Sequence, residues 1–512
     1  MTAGAEWLIV PFVLPLAAAA LLLFVERVAP RAQFALGLAA TLALLAVAVR
    51  LLGHAAGGSV DVYLLGNWPA PFGIALALDR LSALMLVITA AVALPALLYA
   101  GPRWQGRAPH FHAFFQVQLA GLNGAFLTAD LFNLFVCFEL LLIASYALLL
   151  HGAGARTLGA GFRYVVVNLV ASSLFLVAVS LLYGVAGTLN LADLARKLPA
   201  IEPANLGLAR AACLMLLVVF AVKAAIVPLG FWLPAAYRNA PAPVAALFAL
   251  MTKVGVYAIL RVSSVLFDEG AGPFAGLGQE ALLAFGLATV AVAAVSAWAA
   301  RRLAGLAALL VTMSAGTLVA ANALPGGAAV PGAVFYLAHS AVIGAAMFLV
   351  ADVIAERRGE ARDRLVAAAA LPHASLWGAL FLAQAIALAG MPPFSGFIGK
   401  LGMLTGALGA PGGTWFWAVV LATSLVATLA LARAGSRVFW DTHGTAPGAG
   451  PRPVAIELGA IVVLMGYGVA LVVLAGPVQR FAAATAGQLG SPHAYVDAVL
   501  GARPVPMPGR VQ

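Results

Sequence analysis

Four lysines, set against twenty-four arginines, are the residues of this 512-residue chain whose placement most invites chemistry. Lys223, Lys253 and Lys400 lie inside long apolar runs and Lys197 in a polar stretch, whereas nearly every arginine falls between runs. A guanidinium keeps its proton at any working pH. An ammonium group taken out of water is disfavoured enough to release one. A lysine held in an apolar run can therefore gain and lose protons, and a charge in such a place is a functional hypothesis by default. The bland alternative is a lysine whose stem snorkels back to the membrane surface. Lys223, about 12 residues into its run, would sit roughly 18 Å deep at the helical rise, which is beyond that reach. Lys253 is equally central, and Lys400 follows an interrupted stretch before more apolar sequence.

Glu139 is central in its own run and reads as the acid partner of a lysine, most simply Lys223. Cys137, two residues earlier and about 200° around the helix, faces elsewhere and reads as packing. His339, in Tyr336-Leu337-Ala338-His339-Ser340, fits either a satisfied core histidine or a relay between buried lysines, since imidazole titrates near physiological pH. Asp352 and Glu457 lie near run ends and read as interfacial, and Ser172 and Ser173 as helix-packing positions. There is no phosphate-binding glycine loop, zinc-ligand spacing or nucleophile constellation, so neither a cofactor nor a metal is expected, and the chain reads as no enzyme.

Composition dictates the elements that must position these groups. Hydrophobic residues make up 64% of the chain and charged ones 9%, too few to cover a soluble fold of this size. The net charge of +10 does not imply nucleic acid, because the basic residues stand singly or in pairs between apolar runs. Cys137 and Cys213 both lie in such runs and imply no disulfide framework. The first run follows no basic segment and reads as a transmembrane helix rather than a signal peptide.

A hydrocarbon core of ~30 Å needs about 20 helical residues. Runs of that length fall at 6–25, 34–52, 80–100, 110–128, 131–150, 162–184, 211–235, 242–265, 281–300, 303–323, 330–354, 370–408, 414–434 and 455–476. The expectation is an all-α polytopic membrane protein of about fourteen transmembrane helices. The longer connections are 53–79, which suggests a short hairpin, and 185–210; a Pro-rich tail follows Pro477.

Basic residues set the orientation. Arg27, Arg31, Arg103, Arg107, Arg156, Arg163, Arg238, Arg301, Arg302, Arg357, Arg358, Arg362, Arg364, Arg433, Arg437 and Arg452 mark alternate connections. Arg50, Arg80, Arg196, Lys197, Arg210, Arg261, Arg480, Arg503 and Arg510 mark the others: sixteen against nine. The richer set is expected on the cytoplasmic side and both termini on the outer side.

Two runs cannot be plain helices. Run 211–235 holds Pro228, Gly230 and Pro234, and run 370–408 holds Gly390, Pro392, Pro393, Gly396 and Gly399. Proline removes a donor and clashes with the preceding turn, so each run should break. Paired broken helices at matching positions mark inverted repeats in transporters. Three helices in 1–109 would precede two five-helix repeats, 110–265 and 281–434, each with its fourth helix broken; helix 455–476 and the tail 477–512 would follow.

The residues also resemble a known family. Phe126-Leu127-Thr128-Ala129-Asp130-Leu131-Phe132-Asn133-Leu134-Phe135, running on to Glu139 and Ala144-Ser145-Tyr146, is similar to the fifth-helix region of the D subunit of Mrp-type multisubunit cation/proton antiporters. So are Lys223-Ala224-Ala225-Ile226-Val227-Pro228 with Trp232-Leu233-Pro234, and Ala240-Pro241-Ala242-Pro243-Val244 running to Lys253-Val254-Gly255. Gly390-Met391-Pro392-Pro393-Phe394-Ser395-Gly396-Phe397-Ile398-Gly399-Lys400 resembles the family's broken twelfth helix. The likeness extends to the antiporter-like subunits of respiratory complex I and membrane-bound hydrogenases.

It implies a bacterial inner-membrane protein that works with other antiporter subunits in a hetero-oligomer and couples H⁺ to Na⁺ or K⁺. Glu139, Lys223, Lys253, His339 and Lys400 would form the proton path. Many relatives place a lysine five residues after the histidine, where this chain has Gly344; the Pha-type K⁺/H⁺ branch tolerates that, which points to potassium. The rival readings are a complex I antiporter-like subunit and, from another class, a non-transporting membrane scaffold.

Overall fold

The computed structural model describes residues 5–101, 109–151, 154–443 and 455–505. Arg103, Arg107, Arg452 and Arg510, four of the orienting charges, lie outside them. The described residues form nineteen α-helices, a two-stranded sheet and short single turns. Twelve helices are long and apolar enough to cross a membrane. The expected fourth run is a helix of 17 residues, α4 (Phe111–Leu127), and run 370–408 is split into α14 (Ala374–Ala389) and α15 (Ser395–Gly406). The chain is a many-span membrane protein.

Burial sorts these helices into layers. In α10 (Ala242–Leu266) and α13 (Val330–Arg357) the whole apolar window is enclosed by other helices, and α3 (Arg80–Ala100) and α12 (Leu303–Asn322) come close at 83% and 89%. A helix that is apolar all round is stable only when surrounded. These four form the centre of the bundle. The outer helices α1 (Val10–Val28), α2 (Gln33–Ala55), α16 (Gly413–Gly435) and α17 (Ala455–Val473) bury about a third of theirs. The two fully enclosed helices are the ones that carry Lys253 and His339.

The connections sort to two ends. At one, backbone bonds join Leu303 to Asp363 and Leu365 to Arg301, Arg433 donates to the Ala300 carbonyl at 2.8 Å, and Arg302 pairs with Asp363 at 3.7 Å. This is the arginine-rich end. At the other, segment 53–79 contains the expected hairpin, β1 (Asp61–Leu64) antiparallel to β2 (Ala75–Leu78), with Asp61 opposite Leu78. Helix α7 (Leu191–Lys197) lies there too. Among the described residues after Pro477 two helices form: α18 (Ala475–Leu489) and α19 (His493–Gly501) return to this end, where Arg196 pairs with Asp497 at 2.8 Å.

Arg261, counted above among the connection charges, is buried inside α10. Its guanidinium grips the Asp79 carboxylate at 2.6 and 2.8 Å, while Asp79 also caps α3 by accepting from the Ser82 amide at 2.9 Å. Tyr257 and Tyr495 flank the guanidinium at 5.4 and 5.0 Å. Removing one partner of a buried pair strands the other charge, at a cost of about 3–5 kcal/mol. Arg261→Ala should therefore lower the melting temperature of the detergent-solubilised subunit markedly. Arg261→Leu combined with Asp79→Asn should recover most of the loss; a double variant no better than the single one contradicts the assignment.

Candidate functional site

The first break follows directly from its residues. Helix α8 (Pro203–Lys223) opens on a proline and ends at Lys223. Pro228 has no amide to donate, its ring crowds the carbonyl four residues back, and the residue before it is pushed out of helical geometry. Ala225 takes a positive φ of 58°, and the chain resumes as α9 (Trp232–Asn239). The helix begins eight residues before the apolar run suggested, since Asn205 and Arg210 hide its first turns from a hydropathy reading. Lys223 is thus the last helical residue before the expected break.

Neutral groups surround the Lys223 ammonium. Its Nζ donates to the Asn168 backbone and side-chain oxygens, both at 3.4 Å, and to Ser172 Oγ at 3.3 Å. The Phe138 ring lies 5.7 Å away. Ser172 Oγ in turn donates a short hydrogen bond to Glu139 Oε1. Glu139 and Lys223 are thus brought together, but among the described residues no direct ion pair joins them: the serine hydroxyl stands between. Ser172 occupies the site as well as packing there, while Ser173 is exposed and bonds only the Leu169 carbonyl.

Lys253 is fully enclosed in α10. Its Nζ donates to Ser314 Oγ at 2.6 Å, and that hydroxyl donates to the Val311 carbonyl at 2.7 Å. Two residues on, Gly255 lets α10 press against the break: a Cβ there would collide with the Ala224 nitrogen and stand 2.7 Å from the Lys223 carbonyl carbon. The backbone of the first broken helix and the helix of Lys253 thus touch.

Helix α14 ends at Ala389, with Gly390 at a φ of 76°, a left-handed cap that a side chain resists. Pro392 and Pro393 hold the chain out of helix until Ser395, where α15 starts. His339 Nδ1 meets Ser395 Oγ at 2.8 Å, and its ring lies within electrostatic reach of both Lys253 and Lys400. Lys400 Nζ donates to the Ala389 carbonyl freed by the break at 2.8 Å and to Ser424 Oγ at 2.9 Å.

Between Ser314 and His339 lies a cavity of about 10 Å³, also lined by Tyr336, Ser340 and Gly344. That is about the room one water needs. A Cβ at Gly344 would come 3.2 Å from Val311, so a larger side chain would close this side of the gap.

All five candidate residues thus fall into two groups, Glu139–Ser172–Lys223 and Lys253–Ser314 with His339–Ser395 and Lys400–Ser424. Asn168 and the roles of four serines are what sequence reading missed. A hydroxyl both donates and accepts, so each can take a proton on one side and give one on the other. The available signal was weak: a lone serine in an apolar helix normally marks packing. Cys137 is buried, as expected. Among the described residues no group of three or more His, Cys, Asp or Glu is placed to hold a metal ion.

Residues 128–427 match the family of transmembrane subunits described as NADH:quinone oxidoreductase/Mrp antiporter. The chain belongs to this family. It is 43% identical to the D subunit of a probable K⁺/H⁺ antiporter of Rhizobium meliloti, over 97% of each chain. It is 33% identical to the D subunit of the Na⁺/H⁺ antiporter of Bacillus subtilis, over 97% of this chain and 99% of that one. A chain of the Mrp complex from Dietzia sp. superposes with a TM-score of 0.86 at 26% identity, covering 98% of this chain and 100% of its own.

The close approach at Gly255 generates a stability prediction. Gly255→Ala should reduce the yield of folded protein, because the methyl group would meet backbone on the facing segment. Gly459→Ala, where no atom lies within 4 Å, should be neutral. Size-exclusion profiles of fluorescent fusions distinguish the two; equal profiles contradict the close packing.

Proposed function

We propose that this chain is the proton-translocating subunit of a multisubunit monovalent cation/proton antiporter, with potassium as its cation. The observation that carries the reading is that each buried lysine is held by a serine hydroxyl and not by a carboxylate. A structural ion pair would place the acid against the amine. A hydroxyl stabilises the ammonium form and, after deprotonation, also donates to the neutral amine, so both states are accommodated. The potassium assignment is supported by the higher identity to the relative named for K⁺/H⁺ than to the one named for Na⁺/H⁺.

The mechanism is stepwise. Glu139, through Ser172, favours the charged form of Lys223; a proton arriving at Glu139 withdraws that support, and Lys223 releases its proton towards Lys253. Ser314, one water in the adjoining cavity and His339 carry the proton across the centre, in place of the lysine that Gly344 lacks. Ser395, the Ala389 carbonyl and Lys400 form the far limb. The chain crosses the membrane fourteen times, counting each broken helix once, and 110–265 and 281–434 are inverted repeats. Both termini lie outside and the arginine-rich end is cytoplasmic.

Partner subunits belong to this reading. Glu139 is partly exposed on α5 (Leu131–Leu150), beside Phe132, Val136 and Ile143, which are 48%, 44% and 60% exposed. Lipid penalises a carboxylate there, and a neighbouring subunit relieves the penalty. Among the described residues no second carboxylate joins Glu139 in the central axis, so the cation passes where partner subunits contribute oxygen ligands.

In inverted vesicles holding the whole complex, K⁺ addition should dissipate a preformed pH gradient more strongly than Na⁺. Ser172→Ala should slow exchange about a hundredfold, the low end for loss of a proton-transfer group. The purified chain alone should not exchange cations. Wild-type rates in Ser172→Ala with normal assembly, or robust exchange by the isolated chain, oppose the reading. For orientation, cysteines placed at Gly359 and Glu269 should label from opposite sides of intact cells, Gly359 being the protected one; labelling of both by an impermeant reagent contradicts it.

A further inference from the structure

The proposed axis leaves open where its protons meet water at the arginine-rich end. A cavity of about 1080 Å³ lies there, far above the ~10–15 Å³ that one water requires. Its mouth is marked by the exposed Glu356 and Arg362, and it runs inward past Asp352 to Tyr237 and Ala245. Ala245 is on α10, the helix of Lys253, eight residues or about 12 Å away along the axis. Asp352 is on α13, the helix of His339.

Charges around this cavity are mostly committed. Asp363 faces Arg302 at 3.7 Å and Glu457 faces Arg357 at 3.9 Å. Asp352 differs. Tyr99, from α3, donates to its Oδ2 at 2.9 Å, and among the described residues no lysine or arginine nitrogen lies within 4 Å of it. The other charges that act on it are Glu356 one turn along α13, Glu457 from α17 and Arg362 from the connecting loop. It is partly buried, so the reading of Asp352 as a plain interfacial acid misses its place on the cavity wall.

A second, independent observation points inward from it. The Tyr237 side chain is wholly buried and lines the same cavity, and its hydroxyl has no hydrogen-bond partner among the described residues. The Tyr237 ring packs edge-on against Phe348 at 6.3 Å, and Phe348 is one helical turn before Asp352 on the same face. Tyr237 also stands 6.1 Å from the Trp232 ring, whose Nε1 donates to the Val222 carbonyl, next to Lys223. A buried hydroxyl with nothing to bond but the cavity is a place for water.

We propose that Asp352 is the proton port of the subunit at this end. Its carboxylate takes protons from, or delivers them to, water in the cavity, and the Tyr237 hydroxyl orders the water chain on the inner side. Glu356 at the mouth collects protons from bulk water, and Tyr99 holds the Asp352 carboxylate against the wall. This inference rests on the proton-path reading above but assigns a residue outside that path.

The test uses the whole complex in inverted vesicles, where this end faces the medium on the orientation proposed. Asp352→Asn keeps an oxygen to accept from Tyr99 and removes the titrating group, and should slow exchange about a hundredfold. Asp352→Glu should restore most of the rate, Tyr99→Phe should be slowed less than Asp352→Asn because the carboxylate still titrates, and Tyr237→Phe should be slowed several-fold. Assembly is checked for each by co-purification of the partner subunits. An assembled Asp352→Asn complex at the wild-type rate overturns the proposal. So does a Tyr99→Phe loss equal to that of Asp352→Asn, since the hydrogen bond rather than the proton would then matter. Lys223→Ala, run in parallel, separates the two readings: if it is dead while Asp352→Asn is active, only the port assignment fails.

Discussion

A positive charge inside an apolar bundle must find oxygen atoms to replace the water it has lost, and much of this structure follows from that demand. Helical backbone offers little, because its carbonyls are already engaged. The chain supplies them by breaking the helix before Lys400 and by setting Asn168 and single serines opposite the amines. The Ala389 carbonyl, left free at the second break, holds Lys400, and Asn168 presents its backbone oxygen to Lys223. Gly390 and Gly255 are demanded by the same arrangement: one turns the chain at the break, and the other lets the Lys253 helix lie against the first broken helix.

Neutral ligands have a functional consequence that acidic ones would not. A carboxylate against a buried lysine stabilises the charged pair and keeps the proton in place. Serine hydroxyls leave the two protonation states closer in free energy, so that a change in a neighbour's charge can tip them. On the proposed mechanism Glu139 acts through Ser172 for this reason, near enough to bias Lys223 but without trapping it. The buried pair Arg261–Asp79 shows the contrast within one molecule: a bidentate salt bridge flanked by tyrosines, suited to fastening α10 to α3 and unsuited to proton release.

Much of this was legible in the sequence because lysine in an apolar run is costly and proline in a helix is disruptive. Those two costs mark Lys223, Lys253, Lys400 and both breaks. The hairpin within 53–79 was legible from its glycines, prolines and aromatics. What stayed hidden depended on contacts between distant segments. Ser172, Ser314, Ser395 and Ser424 look like any packing serine until the fold sets each beside an ionisable group. The start of α8 at Pro203 was obscured by polar residues in its first turns, and the helical tail by its prolines and glycines. Arg261 looked like a connection charge because its partner, Asp79, is far away along the chain.

On the proposed mechanism Lys223 works by giving up its proton. Lys223→Arg tests it most directly, because arginine keeps the charge, can bond the same oxygens and does not release a proton at working pH. With the complex assembled, proton flux driven by K⁺ in inverted vesicles should be abolished at every pH. Flux near the wild-type rate in that variant would show that the charge at position 223 is structural, and would contradict the account.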